Sequence, residues 1–117
     1  MDLRHLSMRH LRCISEVGRT KSAALAAGRL GITPSAVSKT LREMEKIAGV
    51  RLFVGTRRGT TATKEGELLI DRVNIALTTI RNSFEQLHGA RRGEQESLRI
   101  GALPVFAASI LPDILLD

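Results

Sequence analysis

Apolar residues recur at helical spacing in the first part of the chain and predict two short helices. The first runs from about Ser7 to Val17 and is ended by Gly18. Its apolar face consists of Met8, Leu11, Ile14 and Val17. The second follows Ser22, whose hydroxyl can accept a hydrogen bond from an unpaired N–H group of the first turn, and it ends at Leu30. Because its side chains are small, its backbone can approach a neighbouring element closely.

A third helix is predicted after a Gly-Ile-Thr turn. Thr33 is the candidate N-cap, Pro34 takes the first helical position, where its missing N–H costs nothing, and Gly49 follows the end near Ala48. The predicted buried stripe is Val37, Leu41, Met44 and Ala48. The opposite face carries Ser35, Ser38, Lys39, Arg42 and Lys46. Two helices joined by so short a turn predict a helix-turn-helix.

A β-hairpin is predicted next. Residues 50–54 and 60–63 have the composition of short strands, and the turn between them carries Arg57 and Arg58, with a glycine at each end. Such a hairpin after a helix-turn-helix is a wing. The sequence therefore predicts a mainly α fold, a winged helix-turn-helix, over residues 1–63.

A long helix follows and is predicted to mediate dimerisation. Thr63 is its candidate cap, and the helix continues to about Gly89, so that residues 64–90 form a linker. A heptad seam runs along it, consisting of Ile70, Val73, Leu77, Ile80, Phe84 and Leu87. So long a seam has no partner within so small a chain. We therefore expect it to pair antiparallel with a second copy in a homodimer.

The last part of the chain has the pattern of a truncated α/β segment. Residues 91–93 form a polar hinge, residues 97–101 a strand, and residues 106–116 a helix that Pro112 breaks or redirects. Residues 91–117 are therefore expected to be the hinge and the first strand and helix of a second domain. A stop codon directly after Asp117 in the native gene would contradict this two-domain interpretation.

Positive charge is concentrated in the first part of the chain. Residues 1–65 carry 13 Lys and Arg against 5 Asp and Glu, a net charge of +8, whereas residues 66–117 carry a net charge of −2. This asymmetry favours a polyanionic partner for the helix-turn-helix. In that geometry Ser35, Ser38 and Lys39 face base edges in the major groove, and Arg42 and Lys46 are placed for phosphates. The sequence therefore predicts binding to double-stranded DNA, with Arg57 and Arg58 on the backbone or a narrow minor groove.

Composition argues against several other functions. Aromatic residues make up 3% of the chain, with no Trp or Tyr, so a base-stacking platform for single-stranded nucleic acid is not expected. The single cysteine excludes an intrachain disulfide and a multi-cysteine zinc site. No apolar run has the length of a membrane span, and no Ser/His/Asp, Cys/His or paired-carboxylate arrangement is visible. We expect a cytoplasmic protein that is not an enzyme and has no metal, cofactor or membrane contact.

Six ordered stretches resemble the LysR-type transcriptional regulators. They are residues 22–30, 35–39, 41–45, 49–53, 56–59 and 63–66. The resemblance implies that Ser38 and Lys39 contact DNA, with Thr33, Pro34 and Ser35 at the helix entrance. Glu45 matches a common acidic position that is usually structural, and it is left off the site.

The same resemblance implies a longer, two-domain regulator. Its second domain would bind a small-molecule effector, with Leu103, Pro104 and Val105 at the mouth of the cleft. The full-length protein would be a homodimer or a tetramer. The chain departs from the family at two positions. Many members have Gln-Pro where this chain has Pro34-Ser35, and many have an arginine at Gly55, a role that we expect Arg57 and Arg58 to share.

Two other classes of protein are compatible with the sequence. One is a coiled-coil module that binds a partner and whose basic N-terminal part has no role in that binding. Its partner binding would survive replacement of Ser38 and Lys39 by alanine. The other is a winged-helix regulator of another family that has no sensor domain. A redox role for Cys13 is a further alternative, although its place on the apolar face of the first helix favours a buried, inert thiol.

Overall fold

The computed structural model describes the backbone of residues 1–97 and the side chains of residues 1–90. It confirms the mainly helical winged helix-turn-helix. The elements are α1 (Met8–Thr20), α2 (Ala23–Leu30), α3 (Pro34–Ala48), β1 (Phe53–Thr56), β2 (Gly59–Ala62) and α4 (Lys64–Ser97). The chain divides into two compact units, Met1–Leu77 and Thr78–Asp117. Beyond Ser97, the predicted strand and helix lie outside the described residues.

The predicted end of the first helix at Gly18 is wrong. α1 continues to Thr20 and ends at Lys21, which adopts the left-handed conformation with φ of 58°. Gly18 has a packing role, because a Cβ there would lie 2.8 Å from Cδ1 of Ile70 in α4. The glycine therefore lets α4 approach α1 closely.

The ends of α2 and α3 are as predicted. The Ser22 hydroxyl accepts a hydrogen bond from the Leu25 N–H at 3.1 Å, and the Thr33 hydroxyl accepts one from the Ala36 N–H at 3.1 Å. Gly31 and Gly49 both follow their helices with positive φ, at 71° and 74°. These caps satisfy backbone groups that a helix end leaves unpaired, so local chemistry fixes the turn between the two helices.

A single core joins α1, α2, α3, the wing and the first half of α4. Its buried apolar residues are Cys13, Ile14, Val17, Ala26, Ala27, Val37, Leu41, Met44, Leu52, Phe53 and Val73. Two sequence predictions are corrected here. Met8 is 46% exposed and does not belong to the buried face of α1, and Thr40 is buried on α3 although the predicted stripe omits it. The Thr40 hydroxyl donates to the Ala36 carbonyl at 2.9 Å, which removes the cost of burying it.

The wing is shorter than the sequence predicts. Its antiparallel strands pair from Phe53 with Ala62 to Thr56 with Gly59, so only Arg57 and Arg58 form the loop. Residues 50–52 lie outside β1, because the backbone of this segment bonds to side chains of neighbouring elements, as described below. Near the tip of the wing, the Thr60 N–H donates to the Lys21 carbonyl at 3.0 Å, which ties β2 to the end of α1.

α4 begins at the predicted cap but extends further than predicted. The Gly66 N–H donates to the Thr63 hydroxyl at 3.0 Å, and the helix continues through the predicted hinge to Ser97. The expectation that the whole heptad seam lacks a partner within the chain is also wrong, because its first half packs on the core. The seam residues packed there are Ile70, Val73 and Leu77, whereas those left exposed are Ile80, Phe84 and Leu87.

No helix among the described residues has the length and apolar content needed to cross a membrane.

The close approach of α4 to the wing generates a stability prediction. A Cβ on Gly66 would clash with the Leu52 carbonyl oxygen, which is backbone and cannot move aside cheaply. We expect Gly66→Ala to lower the free energy of unfolding by about 2 kcal/mol in urea titrations. Gly28→Ala in α2 is the control, because nothing lies within 4 Å of its added Cβ, and it should raise stability by about 0.5–1 kcal/mol. Equal effects of the two variants would contradict the contact.

The buried thiol generates a second prediction. Cys13 has no exposed surface, and burial raises its pKa above the ordinary value, so the reactive thiolate is disfavoured. Its Sγ lies 3.8 Å from the Val37 carbonyl oxygen, inside the core. We expect a water-soluble disulfide reagent to label Cys13 only as fast as the native chain opens, and at once in denaturant. Rapid labelling of the folded chain at neutral pH would restore the redox alternative.

Candidate nucleic-acid interface

The exposed face of α3 carries the residues that the sequence assigns to DNA. Ser35, Lys39, Arg42 and Lys46 are exposed, and Ser38 is half-buried at the edge of the same face. The opposite face packs in the core, which fixes the rotation of the helix about its axis. α3 therefore presents its polar side chains together on one surface.

The two residues at the entrance to α3 have different surroundings. Thr33 and Pro34 are both exposed. The Thr33 hydroxyl accepts the Ala36 N–H as the helix cap, so its own O–H remains available to donate. Pro34 has no N–H and offers only its ring and carbonyl. The start of α3 thus offers an outside ligand one hydroxyl donor, from Thr33, and Pro34 restricts the backbone there.

Arg57 and Arg58 occupy the tip of the wing, and both are exposed. The turn that holds them is built from Thr56, whose hydroxyl donates to the Gly59 carbonyl at 3.1 Å. The same hydroxyl accepts the Arg58 N–H at 3.3 Å. The tip is therefore held by local hydrogen bonds while both guanidinium groups project from a two-residue loop.

Several basic residues elsewhere in the first unit are held by carboxylates. Glu16 of α1 accepts from Arg19 at 2.7 Å and from Arg29 of α2 at 3.0 Å. The hydrogen bond from Arg19 is the largest of the effects that lower the pKa of Glu16, so this carboxylate stays charged. Arg4 pairs with Asp2 at 3.0 Å. The two carboxylates therefore offset part of the positive charge of these three arginines.

The predicted site residues differ in this respect. Among residues 1–90, no carboxylate forms an ion pair with the basic residues of the predicted site, which are Lys39, Arg42, Lys46, Arg57 and Arg58. Five cations without an internal partner thus lie on α3 and on the wing tip. Such an arrangement is suited to an anion that comes from outside the chain.

Two acidic residues of α3 are bonded to partners on other segments and not to the basic residues of this face. The Ser7 N–H donates to Nδ1 of His10 at 3.1 Å, so the proton of the neutral imidazole is on Nε2. That nitrogen donates to Oε1 of Glu43 at 3.0 Å. On the other flank, Oε2 of Glu45 accepts the Leu52 N–H at 2.7 Å and the Phe53 N–H at 3.2 Å. Neither contact follows from the periodicity of α3, because the partners lie on other elements.

The sequence also predicts an effector site and no metal site. Leu103, Pro104 and Val105, assigned to an effector cleft, lie outside the described residues. Residues 1–97 hold no group of three or more His, Cys, Asp or Glu that could bind a metal ion.

Comparison with known proteins is consistent with this geometry. The chain is 32% identical to the HTH-type transcriptional regulator PcaQ of Agrobacterium fabrum, over 92% of this chain and 34% of the relative. It is 35% identical to the regulator PerR of Escherichia coli, over 83% of this chain and 32% of that protein. The chain thus spans about a third of the length of the curated relatives it matches.

Solved structures share the fold. The DNA-binding domain of CbnR in complex with DNA superimposes with a TM-score of 0.68 at 22% identity, over 74% of this chain and 99% of that one. A LysR-family regulator from Eggerthella lenta superimposes with a TM-score of 0.55 at 30% identity, over 59% of this chain and 99% of that one. The family model for bacterial regulatory helix-turn-helix proteins of the lysR family matches residues 8–67, slightly more than half of the chain. The chain belongs to the LysR family of bacterial regulatory helix-turn-helix proteins.

Proposed function

We propose that this chain is the DNA-binding part of a transcriptional regulator and that α3 enters the major groove of double-stranded DNA. The observation that carries the proposal is the set of five cations on α3 and the wing that have no carboxylate partner among residues 1–90. Structures of the CbnR and BenM DNA-binding domains are described as DNA complexes, and their fold is shared by this chain. We therefore assign to DNA binding the face of this chain that carries these five cations.

Each side chain has a role set by its reach and position. Ser35, Ser38 and Lys39 lie near the N-terminus of α3, the end that approaches base edges in this geometry. Arg42 and Lys46 lie further along the helix, where the phosphate backbone passes. Thr33 and Pro34 position the helix entrance beside the same strand of DNA.

The wing takes the second contact in this proposal. Arg57 and Arg58 project from a short loop, and guanidinium groups bind phosphate oxygens with two N–H donors at a time. A narrow minor groove, with its enhanced negative potential, would also attract them. The wing thus adds affinity and fixes the orientation of the domain on the duplex.

A homodimer completes the proposed DNA-binding unit. In the second unit, Phe84 is 60% exposed and Leu87 is 51% exposed on α4, and Ile80 is exposed as well. Burying such side chains against a second copy of the chain would remove them from water. Two copies related by a two-fold axis would place their α3 helices in successive major grooves.

The full-length protein is proposed to be a cytoplasmic regulator with an effector-binding domain, as a dimer or a tetramer. The relatives are named as transcriptional regulators, a class of proteins that are not enzymes. We assign residues 103–105 to the effector cleft on the sequence resemblance alone. In this proposal the chain binds DNA, and the response to a small molecule requires the rest of the second domain.

Substitutions on α3 test the proposed division between base and phosphate contacts. A duplex would first be selected from a random-sequence library with the wild-type chain. We expect Ser38→Ala with Lys39→Ala to reduce discrimination between this duplex and a scrambled one by about tenfold or more, while non-specific binding remains. Arg42→Ala should weaken binding to both duplexes and reduce the slope of log K against log salt by about 1.

Arg81→Ala is the matched control for charge, because this exposed arginine lies on α4 outside the proposed interface. It should leave both discrimination and salt slope unchanged. If the library yields no enriched sequence, or if the double variant retains full discrimination, base reading by α3 is contradicted. The coiled-coil alternative would then be favoured.

The dimer is tested by placing a charge on the exposed apolar residues of α4. We expect Phe84→Glu to shift the chain from dimer to monomer in sedimentation equilibrium, because a carboxylate buried at the interface would lose its hydration. Ser83→Glu is the control, since it adds the same charge at the neighbouring exposed polar position. A wild-type chain that is monomeric, or a Phe84→Glu chain that remains dimeric, would contradict the assignment.

A further inference from the structure

A single carboxylate of α3 holds the segment that leads into the wing. Oε2 of Glu45 accepts two backbone hydrogen bonds, from the Leu52 N–H at 2.7 Å and from the Phe53 N–H at 3.2 Å. The Arg51 guanidinium lies 3.6 Å from the same oxygen. The side chain of Glu45 is only 21% exposed, so these bonds are partly shielded from water. Two backbone N–H donors and one guanidinium group thus converge on one carboxylate oxygen.

The other side of this segment is held by the start of α4. The Thr63 hydroxyl donates to the Arg51 carbonyl at 2.7 Å, and the Thr63 N–H donates to the Leu52 carbonyl at 2.9 Å. Gly66 packs its backbone against that same carbonyl. The side chain of Leu52 is buried in the core. The N–H groups of Leu52 and Phe53 are therefore bonded to α3, and the carbonyls of Arg51 and Leu52 are bonded to Thr63, the residue that caps α4.

The position of this segment sets the direction of the wing. β1 starts at Phe53, directly after the bonded residues, and the tip arginines follow within the same hairpin. A hairpin of two short strands does not hold its own orientation, because it buries little surface. Its direction must come from contacts with neighbouring elements. The Thr60 N–H bonds to the Lys21 carbonyl at the end of α1, and Glu45 supplies the contact that α3 makes with the backbone leading into β1.

We propose that Glu45 is a positioning residue for DNA binding, which orients the wing so that Arg57 and Arg58 reach the duplex that α3 reads. The inference rests on the proposed function, since it requires the wing arginines to contact DNA. Glu45 itself makes no contact with DNA in this proposal. Its carboxylate acts through the backbone of Leu52 and Phe53.

The first measurement follows the wing in the free protein, without DNA. In Glu45→Ala, the amide protons of Leu52 and Phe53 lose their charged acceptor, and their hydrogen exchange should become about tenfold faster or more. The ¹⁵N relaxation of Arg57 and Arg58 should report larger backbone motion, while α1 and α2 remain unchanged. Glu45→Gln keeps one oxygen acceptor and should restore most of the protection.

The second measurement is DNA binding to the selected duplex as a function of salt. Glu45→Ala should reduce the magnitude of the salt slope by up to about 2, the loss expected when both wing arginines leave the backbone. In a chain that already carries Arg57→Ala and Arg58→Ala, Glu45→Ala should produce no further reduction. A purely structural effect of Glu45 on α3 would instead weaken binding equally in both backgrounds.

Glu43→Ala is the matched control. It removes a carboxylate from the same helix, so it reproduces any gain in DNA affinity that comes from reduced charge repulsion. Glu43 bonds to His10 on the opposite flank, and its loss should leave the wing amides unchanged. If Glu45→Ala does not fold, Glu45→Asp replaces it, because the shorter side chain withdraws the oxygen without removing the charge.

The outcomes separate this inference from the proposed function. Unchanged exchange at Leu52 and Phe53 in Glu45→Ala would overturn the inference whatever the DNA result. Faster exchange together with an equal loss of binding in both backgrounds would overturn it as well. A salt slope that does not respond to loss of both wing arginines in the wild-type background would contradict the wing contact of the proposed function, and the inference that depends on it.

Discussion

The backbone of Leu52 is the point on which the arrangement of this domain depends. Its N–H is bonded to Glu45 of α3, its carbonyl to the N–H of Thr63 at the start of α4, and its side chain is buried. A residue tied at all three groups cannot shift without breaking a bond in another element. The helix that is proposed to read DNA, the wing and the linker helix therefore share one fixed reference, and any change at this point displaces the wing relative to α3.

Two glycines extend the same constraint to α1. Gly18 admits Ile70 of α4, and Gly59, beside the tip of the wing, lets β2 meet the Lys21 carbonyl. In both places the chain approaches where a side chain would clash. At Gly59 the contact is between two backbones, with no side chain between them, whereas at Gly18 the Ile70 side chain packs directly on the glycine. The elements around α3 are thus in close contact, although the domain is small and its wing has only two short strands.

The sequence predicts the elements better than the contacts between them. The caps at Ser22, Thr33 and Thr63 and the apolar periodicity located α2, α3 and the start of α4, because these signals are local. Gly18 was predicted to stop α1, since sequence alone cannot distinguish a glycine that ends a helix from one that admits a neighbour. The sequence also did not predict that the first half of the α4 seam packs on the core, or that Glu43 and Glu45 bond to other segments. In each case the partner is distant in sequence.

Most acidic residues of the first part of the chain are bonded to groups other than the basic residues of the proposed interface. Residues 1–65 contain five carboxylates, and four of them are bonded to partners within the chain. These pairs are Asp2 with Arg4, Glu16 with Arg19 and Arg29, Glu43 with His10, and Glu45 with Arg51 and the wing backbone. The fifth, Glu65, lies in the first turn of α4, where the helix dipole favours a negative charge. None of the four bonded carboxylates therefore pairs with a cation of α3 or of the wing tip. The five cations of α3 and the wing tip are left without carboxylate partners among residues 1–90, and they supply positive charge where we propose that the duplex binds.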